Sequence, residues 1–543
     1  MFENLNNTDL LIILGYFILV FVVAFRSSRT SGKSTKDYFL GSKNLGWFVI
    51  GASLFASNIG SEHLIGLAGQ GASGDFVAGQ FELLASLILL ILGWVFVPFY
   101  IKTGVSTMPE FLEKRYDSWA RGYLSWVSII AYVLTKISVT IAAGGIVFTA
   151  ILGIDFWTGA IIIVLATGLY TILGGLKAVA YTDLLQMFVL IGGSVAVTWF
   201  GLGEVGGWDG MVEKVSGEHL SLWRGLEDTN FPWAGILFGA PILGVWYWCT
   251  DQFIVQRVLA AKGLSDARKG TIFGGYLKLL PLFLFVLPGV IAFAMSVGPD
   301  PQLVFPIEDG KVQYDQALPA LTLQVLPNGL KGLVVAGLLA ALMSSLSSVF
   351  NSCSTLFTLD IYKKHRPHTS EKKLVEVGRY STAVLVILGL AWIPLLRAIE
   401  GGLFQQLQSI QAYVSPPIAA VFLLGIFNKR LNAKGAKYSL LVGLLIGSLR
   451  MVLEIMSNIY MWELPELVSA FTTLNFLYFA LLLFIICSVV LIAVSANSAA
   501  PQLAQVNEVT YTKGNFNWKE EKTNVFLSIG LVLCVFILWF VFR

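Results

Sequence analysis

The sequence predicts an all-α polytopic membrane protein with about fourteen transmembrane helices, and three observations predict it. The first is composition: 56% of the 543 residues are hydrophobic and only 13% charged, against about 25% charged in soluble chains. Mean hydropathy is +0.75. The second is that apolar runs of about 20 residues, long enough to cross the hydrocarbon, recur along the whole chain. The third is that basic residues gather in alternate loops, as the positive-inside rule requires.

Taken in order, the spans fall near 8–26, 46–71, 80–101, 122–151, 156–174, 180–202, 232–258, 270–296, 331–362, 375–397, 402–426, 435–457, 467–494 and 523–542. The first apolar run, Leu10 to Phe25, lacks a basic leader and a small-residue cleavage site, so it reads as a retained helix. Arg26, Arg29, Lys33 and Lys36 follow it. Lys102, Lys114, Arg115 and Arg121 follow the third span, and Lys262, Arg268 and Lys269 the seventh. Lys363, Lys364, Arg366, Lys372, Lys373 and Arg379 follow the ninth; Lys429, Arg430, Lys434 and Lys437 follow the eleventh. These loops share one side if the count holds, and that side is cytoplasmic. Loops 203–231 and 297–330, richer in Asp and Glu, face the other way, and both termini are expected to be extracellular or periplasmic.

Several function classes drop out. A net charge of +3 gives no case for nucleic-acid binding. No GxxxxGK[ST] loop is present, so a transporter of this sequence runs on a gradient rather than on ATP. Of four histidines only His63 lies within a span, which leaves no ligand pair for a membrane oxidoreductase. Cys249, Cys353, Cys487 and Cys534 lie in apolar segments without metal-type spacing and read as buried hydrophobes. The chain is expected not to be an enzyme, and no obligate protein partner is expected beside the bilayer of a plasma (inner) membrane.

The central feature is Ala52 to Leu67, ASLFASNIGSEHLIGL, where Ser53, Ser57, Asn58, Gly60, Ser61, Glu62 and His63 interrupt an apolar span. Polar groups at this depth are costly and mark pathways or sites. A Gly among small polar residues is where a membrane helix can break and free carbonyls for a cation. The seventh span offers a second break at Gly239-Ala240-Pro241-Ile242-Leu243-Gly244. Spans two and seven lie five apart, as interrupted helices in two inverted repeats would. Span nine carries Ser344, Ser345, Ser347 and Ser348, more hydroxyls than packing requires and suited to a hard cation such as Na⁺. Glu82 opens span three and Asp183 opens span six, each open to a helix-capping reading. Lys278 lies too deep to snorkel, and Gln405, Gln406, Gln408 and Gln411 line span eleven. Arg450 and Glu454, spaced i, i+4, are expected to satisfy each other, and Lys136 reads as a buried structural partner. Mixed donors and acceptors with an aromatic face such as Tyr247 suit a sugar, though they equally suit other polar solutes.

GASLFASNIGSEHLIGLAG, VSTMPEFLEKRY, WYWCTDQFIVQRVLAAK, GYLKLLPLFLFVLPG, ALMSSLSSVFNSCSTLFTLDIY and SPPIAAVFLLGIF resemble the sodium/solute symporter family. The resemblance runs from about residue 8 to 495 and is to the sodium/glucose cotransporter branch. It implies a leucine-transporter-like core of inverted five-helix repeats. Residues 1–45 then form an extra helix and basic loop, 46–202 the first repeat, 203–231 an extracellular loop and 232–426 the second repeat. Residues 427–543 hold C-terminal helices and a cytoplasmic connector, 497–522. The implied Na⁺ set is the carbonyls of Ala56, Ile59 and Ala341 with the hydroxyls of Ser344 and Ser345; Asp183, Ser347 and Ser348 match a possible second Na⁺ site. The implied sugar positions are Asn58, His63, Glu82, Lys278 and Gln408, with Tyr247 and Trp248 on the inner side and Phe81 and Phe404 on the outer. Ala85 and Gly244 replace polar residues of the bacterial galactose carrier, and Gln411 is larger than its counterpart in animal carriers. The expected activity is Na⁺-coupled symport of a hexose such as glucose or galactose by alternating access. Symport of myo-inositol or another polar solute, and a sugar-gated sensor or channel, are the alternatives.

Overall fold

The computed structural model describes residues 5–28, 34–308, 310–396, 403–460, 465–502, 506–511 and 521–543. Eleven of its helices are long and apolar enough to cross a membrane. Strand pairing among the described residues is confined to a small hairpin, Ile307–Glu308 against Lys311–Val312. Eleven is fewer than the fourteen expected, for two physical reasons. The segments near 46–71 and 232–258 are interrupted, so their pieces are short: Trp47–Asn58 with Ser61–Ser73, and Gly235–Thr250 with Gln252–Leu259. The expected spans 156–174 and 180–202 form one helix, Phe156–Glu204, bent at Gly175.

Gly175 adopts φ +57°, and a Cβ there would lie 2.3 Å from the Tyr38 carbonyl oxygen. Only glycine meets both conditions. Gly60 has a different reason: a Cβ at that break would lie 2.1 Å from the Glu62 carboxylate.

The seventh span does not break where Gly239, Pro241 and Gly244 led us to expect. Pro241 stands inside a continuous helical run, Gly235–Thr250, where it removes a backbone donor without ending the helix. Wide π-helical turns at Gly235–Gly239 and Val245–Thr250 flank it and take up the irregularity. The backbone leaves the helix at Asp251 (φ −81°, ψ 128°), whose side chain accepts from the Phe253 N–H at 3.3 Å.

The Leu330–His365 helix is the axis of the fold. It is buried almost throughout and packs against Phe156–Glu204 and Trp47–Asn58. Its start is tied to the first helix by Asp9, whose carboxylate accepts from the N–H groups of Gly329 and Gly332 at 2.7 Å. These are N–H groups of a helix N-terminus, which favours an anion. The Asn7–Ser28 and Lys522–Val541 helices lie outside, with Leu11, Ile18, Phe536 and Phe540 exposed as lipid-facing residues would be.

Three basic loops meet at one end of the bundle. Thr35 donates from its N–H and hydroxyl to Glu371, Arg121 pairs with Asp360 at 2.7 Å, and Lys364 pairs with Glu113. Arg450 and Glu454 satisfy each other at 2.6 Å. The four cysteines are unpaired, three of them buried. Parts of the 497–522 connector, and residues 397–402 from the end of the tenth expected span to the start of the eleventh, lie outside the described residues.

Candidate functional site

The break between Trp47–Asn58 and Ser61–Ser73 has a defined hydrogen-bond pattern. Gly60 N–H turns back to the Asn58 carbonyl at 3.0 Å, which releases the Ala56 carbonyl from its helical donor. Gly60 O then accepts from the N–H groups of His63 and Leu64 as the second half begins. Ser57 and Asn58, adjacent in sequence, turn into two separate polar compartments.

The Asn58 compartment is a cavity of about 40 Å³ lined by Asn58, His63, Phe81, Glu82, Tyr247, Trp248, Gln408 and Gln411, with Ala85, Ile88 and Gly244 among its apolar walls. Lys278 is buried beside it; its ammonium donates to both Asn58 and Glu82 and stands 5.3 Å over the Trp248 ring. Asn58 Nδ2 donates in turn to the Tyr247 hydroxyl at 3.1 Å. Phe404 closes one side, edge-on to His63 at 6.0 Å and to Phe81 at 5.6 Å. The nine side chains expected around a sugar therefore come from five separate segments to one place. Gln405 does not join them, since it donates to Asn230; the side chain of Gln406 lies outside the described residues.

The Ser57 compartment is built on the Leu330–Thr355 helix. The Ser345 hydroxyl donates to the Ser57 carbonyl at 3.1 Å, and Ser348 Oγ donates to Ser57 Oγ at 3.2 Å. Asp183 accepts from Ser344 at 2.6 Å, Ser53 at 2.5 Å and Ser57 at 3.0 Å. Ser347 instead donates to the Ser344 carbonyl of its own helix at 3.0 Å. Ala56, Ile59 and Ala341 are buried. Hydroxyls and freed carbonyls of this kind are the oxygen donors a hard cation takes.

Sequence reasoning passed over Arg257. It is fully buried in the second half of the seventh span, 3.8 Å from Asp183, and donates to Ser53, Ser348 and the Phe253 carbonyl. An arginine inside the apolar run FIVQRVL was the available signal. Lys136, read as a buried structural partner, pairs with Glu62 of the broken helix: the two are 2.8 Å apart, with Thr140 donating to Glu62 at 3.1 Å. The Lys136 ammonium lies 5.7 Å from the Tyr247 ring centroid and 5.3 Å from that of Phe253. This pair supports the cavity from behind without lining it.

Residues 38–443 match the profile of the sodium:solute symporter family. The chain belongs to that family. It is 41% identical over 531 residues to sodium/glucose cotransporter 1 of Ovis aries, covering 91% of this chain and 79% of that protein. Similarity to sodium/glucose cotransporter 4 of Mus musculus is 40% over 518 residues, covering 91% and 76%. The fold is shared with a Na⁺-coupled sialic acid symporter in its substrate-bound outward-open state (TM-score 0.78, 22% identity, covering 92% of this chain and 99% of that one). As a sodium:solute symporter the chain is a transporter and not an enzyme, and Na⁺ is its coupling ion. The two polar compartments meet at consecutive residues, Ser57 and Asn58, of one broken helix.

Proposed function

We propose that this sodium:solute symporter carries a hexose such as glucose or galactose into the cell with Na⁺, by alternating access. The observation that carries the reading is the junction at Ser57 and Asn58. Ser57 is bonded into the serine helix and Asn58 into the Lys278–Glu82–Tyr247 network of the cavity. The names of the similar cotransporters support a sugar as the solute.

In this reading Na⁺ takes the carbonyls of Ala56, Ile59 and Ala341 and the hydroxyls of Ser344 and Ser345, and holds the broken helix against the serine helix. Asn58, His63, Glu82, Lys278 and Gln408 hydrogen-bond the sugar, Tyr247 and Trp248 cover it on the cytoplasmic side, and Phe81 and Phe404 on the outer. Asp183, Ser347 and Ser348 form a second cation locus with Arg257 close by. A 40 Å³ cavity is too small for a hexose. The sugar enters by taking over hydrogen bonds that Lys278, Glu82 and Asn58 make to one another.

With each interrupted segment counted as one crossing and the bent Phe156–Glu204 helix as two, the spans number fourteen, arranged as two inverted five-helix repeats with one helix before and three after. The basic end is then cytoplasmic, both termini are outside and the membrane is the plasma membrane. Each Na⁺ entering down about 100 mV contributes roughly 2.3 kcal/mol before its concentration gradient is counted. A solute accumulates only through differential binding to the two forms.

The test is uptake into proteoliposomes of purified protein, with a panel of competing hexoses, inositols and other polar solutes. Accumulation of a hexose above its external concentration, only with an inward Na⁺ gradient, is expected. Equilibration without accumulation would mean a channel or sensor, and preferential competition by myo-inositol would replace the hexose assignment.

A further inference from the structure

At the basic end of the bundle lies a second cavity, of about 610 Å³, which shares no lining residue with either compartment described above. Five of the ten residues lining it are cationic, namely Lys36, Lys43, Arg121, Lys363 and Lys364, and only Glu110 is acidic. Three of these cations already have carboxylate partners: Arg121 with Asp360 and Glu113, Lys364 with Glu113, and Lys363 with Glu371 at 3.8 Å. Lys36 and Lys43 have no carboxylate within ion-pair distance among the described residues. Lys43 reaches only the Gly104 carbonyl, at 3.3 Å.

The backbone is distorted where it delivers Lys43. Gly41, Ser42 and Lys43 have φ of +52°, +63° and +49°, and Ser42 and Lys43 are the only non-glycine residues with positive φ among those described. Such conformations cost energy and persist where neighbouring structure enforces them. Here Leu45 is bridged to the chain beyond the seventh span, its N–H donating to Ala260 O at 3.0 Å and its carbonyl accepting from Lys262 N–H at 3.1 Å. Ser42 Oγ donates to Asp37 at 2.8 Å. Burial holds the Lys43 ammonium below the ordinary lysine value; Glu110 opposes that shift, and Lys36 and Lys114 add to it by repulsion. A strained, pinned loop thus drives a half-buried lysine into a cavity already rich in positive charge.

We infer that this cavity is a binding site for a phosphate-bearing anion, held by Lys36 and Lys43 as point charges and by Arg121 at its rim. A phosphate group supplies several acceptor oxygens, with one negative charge as a lipid diester and up to two as a monoester or inorganic phosphate, so it can contact both unpaired lysines at once. Carried on a lipid, it would reach the cavity as the headgroup of an anionic phospholipid, as basic pockets on this side of membrane proteins allow. Carried free, it would be inorganic phosphate or a soluble phosphate ester. In either case the ligand bridges the loops after the first, third and ninth expected spans and holds them together.

The experiment uses the full-length protein purified in detergent, probed by native mass spectrometry with phosphatidylglycerol against phosphatidylcholine, and by calorimetry with inorganic phosphate. Wild type is expected to retain phosphatidylglycerol selectively, and the K36Q/K43Q variant to bind it roughly 30-fold more weakly. K372Q/K373Q, which removes equal charge from exposed positions elsewhere on this end, is expected to match wild type. If inorganic phosphate binds with the same pattern across variants, the anion is free phosphate and the site stands. Equal losses in the two double variants, an unchanged K36Q/K43Q, or no binding of either probe by wild type overturns the proposal. Lys36 is exposed, so K36Q alone reports on the site without risk to folding, and unchanged Na⁺-driven uptake in phosphatidylcholine vesicles verifies that K36Q/K43Q is intact.

Discussion

Asn58 Nδ2 donates a 3.1 Å hydrogen bond to the hydroxyl of Tyr247, joining the last helical residue before one break to the aromatic that floors the cavity in the other interrupted span. Tyr247→Phe keeps the ring and removes this acceptor, leaving a buried amide donor unpaired at a cost of about 1–3 kcal/mol. Solute KM is expected to rise roughly 5- to 30-fold, while the Na⁺ concentration for half-maximal uptake stays within about twofold. Equal losses in both would place the bond in folding rather than in the solute cavity.

The buried Glu62–Lys136 pair predicts a strong asymmetry between single and double changes. Glu62→Gln leaves a buried ammonium without its carboxylate and is expected to destabilise by about 3–5 kcal/mol. Glu62→Gln combined with Lys136→Met removes both charges and should recover most of the melting temperature in detergent. If the double variant melts as low as the single one, the pair is not what stabilises this region.

Ser345→Ala deletes a hydroxyl that bonds the Ser57 carbonyl and that we propose as a Na⁺ ligand. Proteoliposome uptake should need several-fold more Na⁺ for half-maximal rate, with the protein still folded. Unchanged Na⁺ activation would remove Ser345 from the cation set.

The Thr35 hydroxyl and N–H hold the Glu371 carboxyl below its ordinary value. A depressed folded value means that this contribution is fully present above the usual carboxylate range and is lost as pH falls through the folded value. Thr35→Val should therefore lower the melting temperature at neutral pH, and the gap to wild type should close on acidification. A gap independent of pH would show that the carboxylate is not involved.

The break at Asn58–Gly60 was legible because its cause is local: a glycine and small polar residues interrupt an apolar run. The seventh-span break was not, because its cause is tertiary. Phe253 N–H is taken up by Asp251 and by the hydroxyl of Tyr132 at 3.2 Å, a partner far away in the chain, while Gly239, Pro241 and Gly244 stay helical. The cavity residues were reached through family resemblance, since composition identified polar groups without saying which would meet. Arg257 shows the converse. Its charge was visible in the sequence, but its purpose depends on Asp183 and Ser348, which only the fold brings to it.

The paired wide turns at Gly235–Gly239 and Val245–Thr250 also carry a consequence for helix phase. Each wide turn holds one residue more than an α-helical turn, and one residue corresponds to about 100° of rotation. Tyr247 sits within the second, so its bearing depends on surplus residues stored upstream. Deleting Phe238, an exposed residue of the first wide turn, should leave a regular helix that still spans its segment while turning Tyr247 away from Asn58. Migration of such a surplus along the helix offers a way to swing the aromatic floor without unwinding a membrane-embedded backbone.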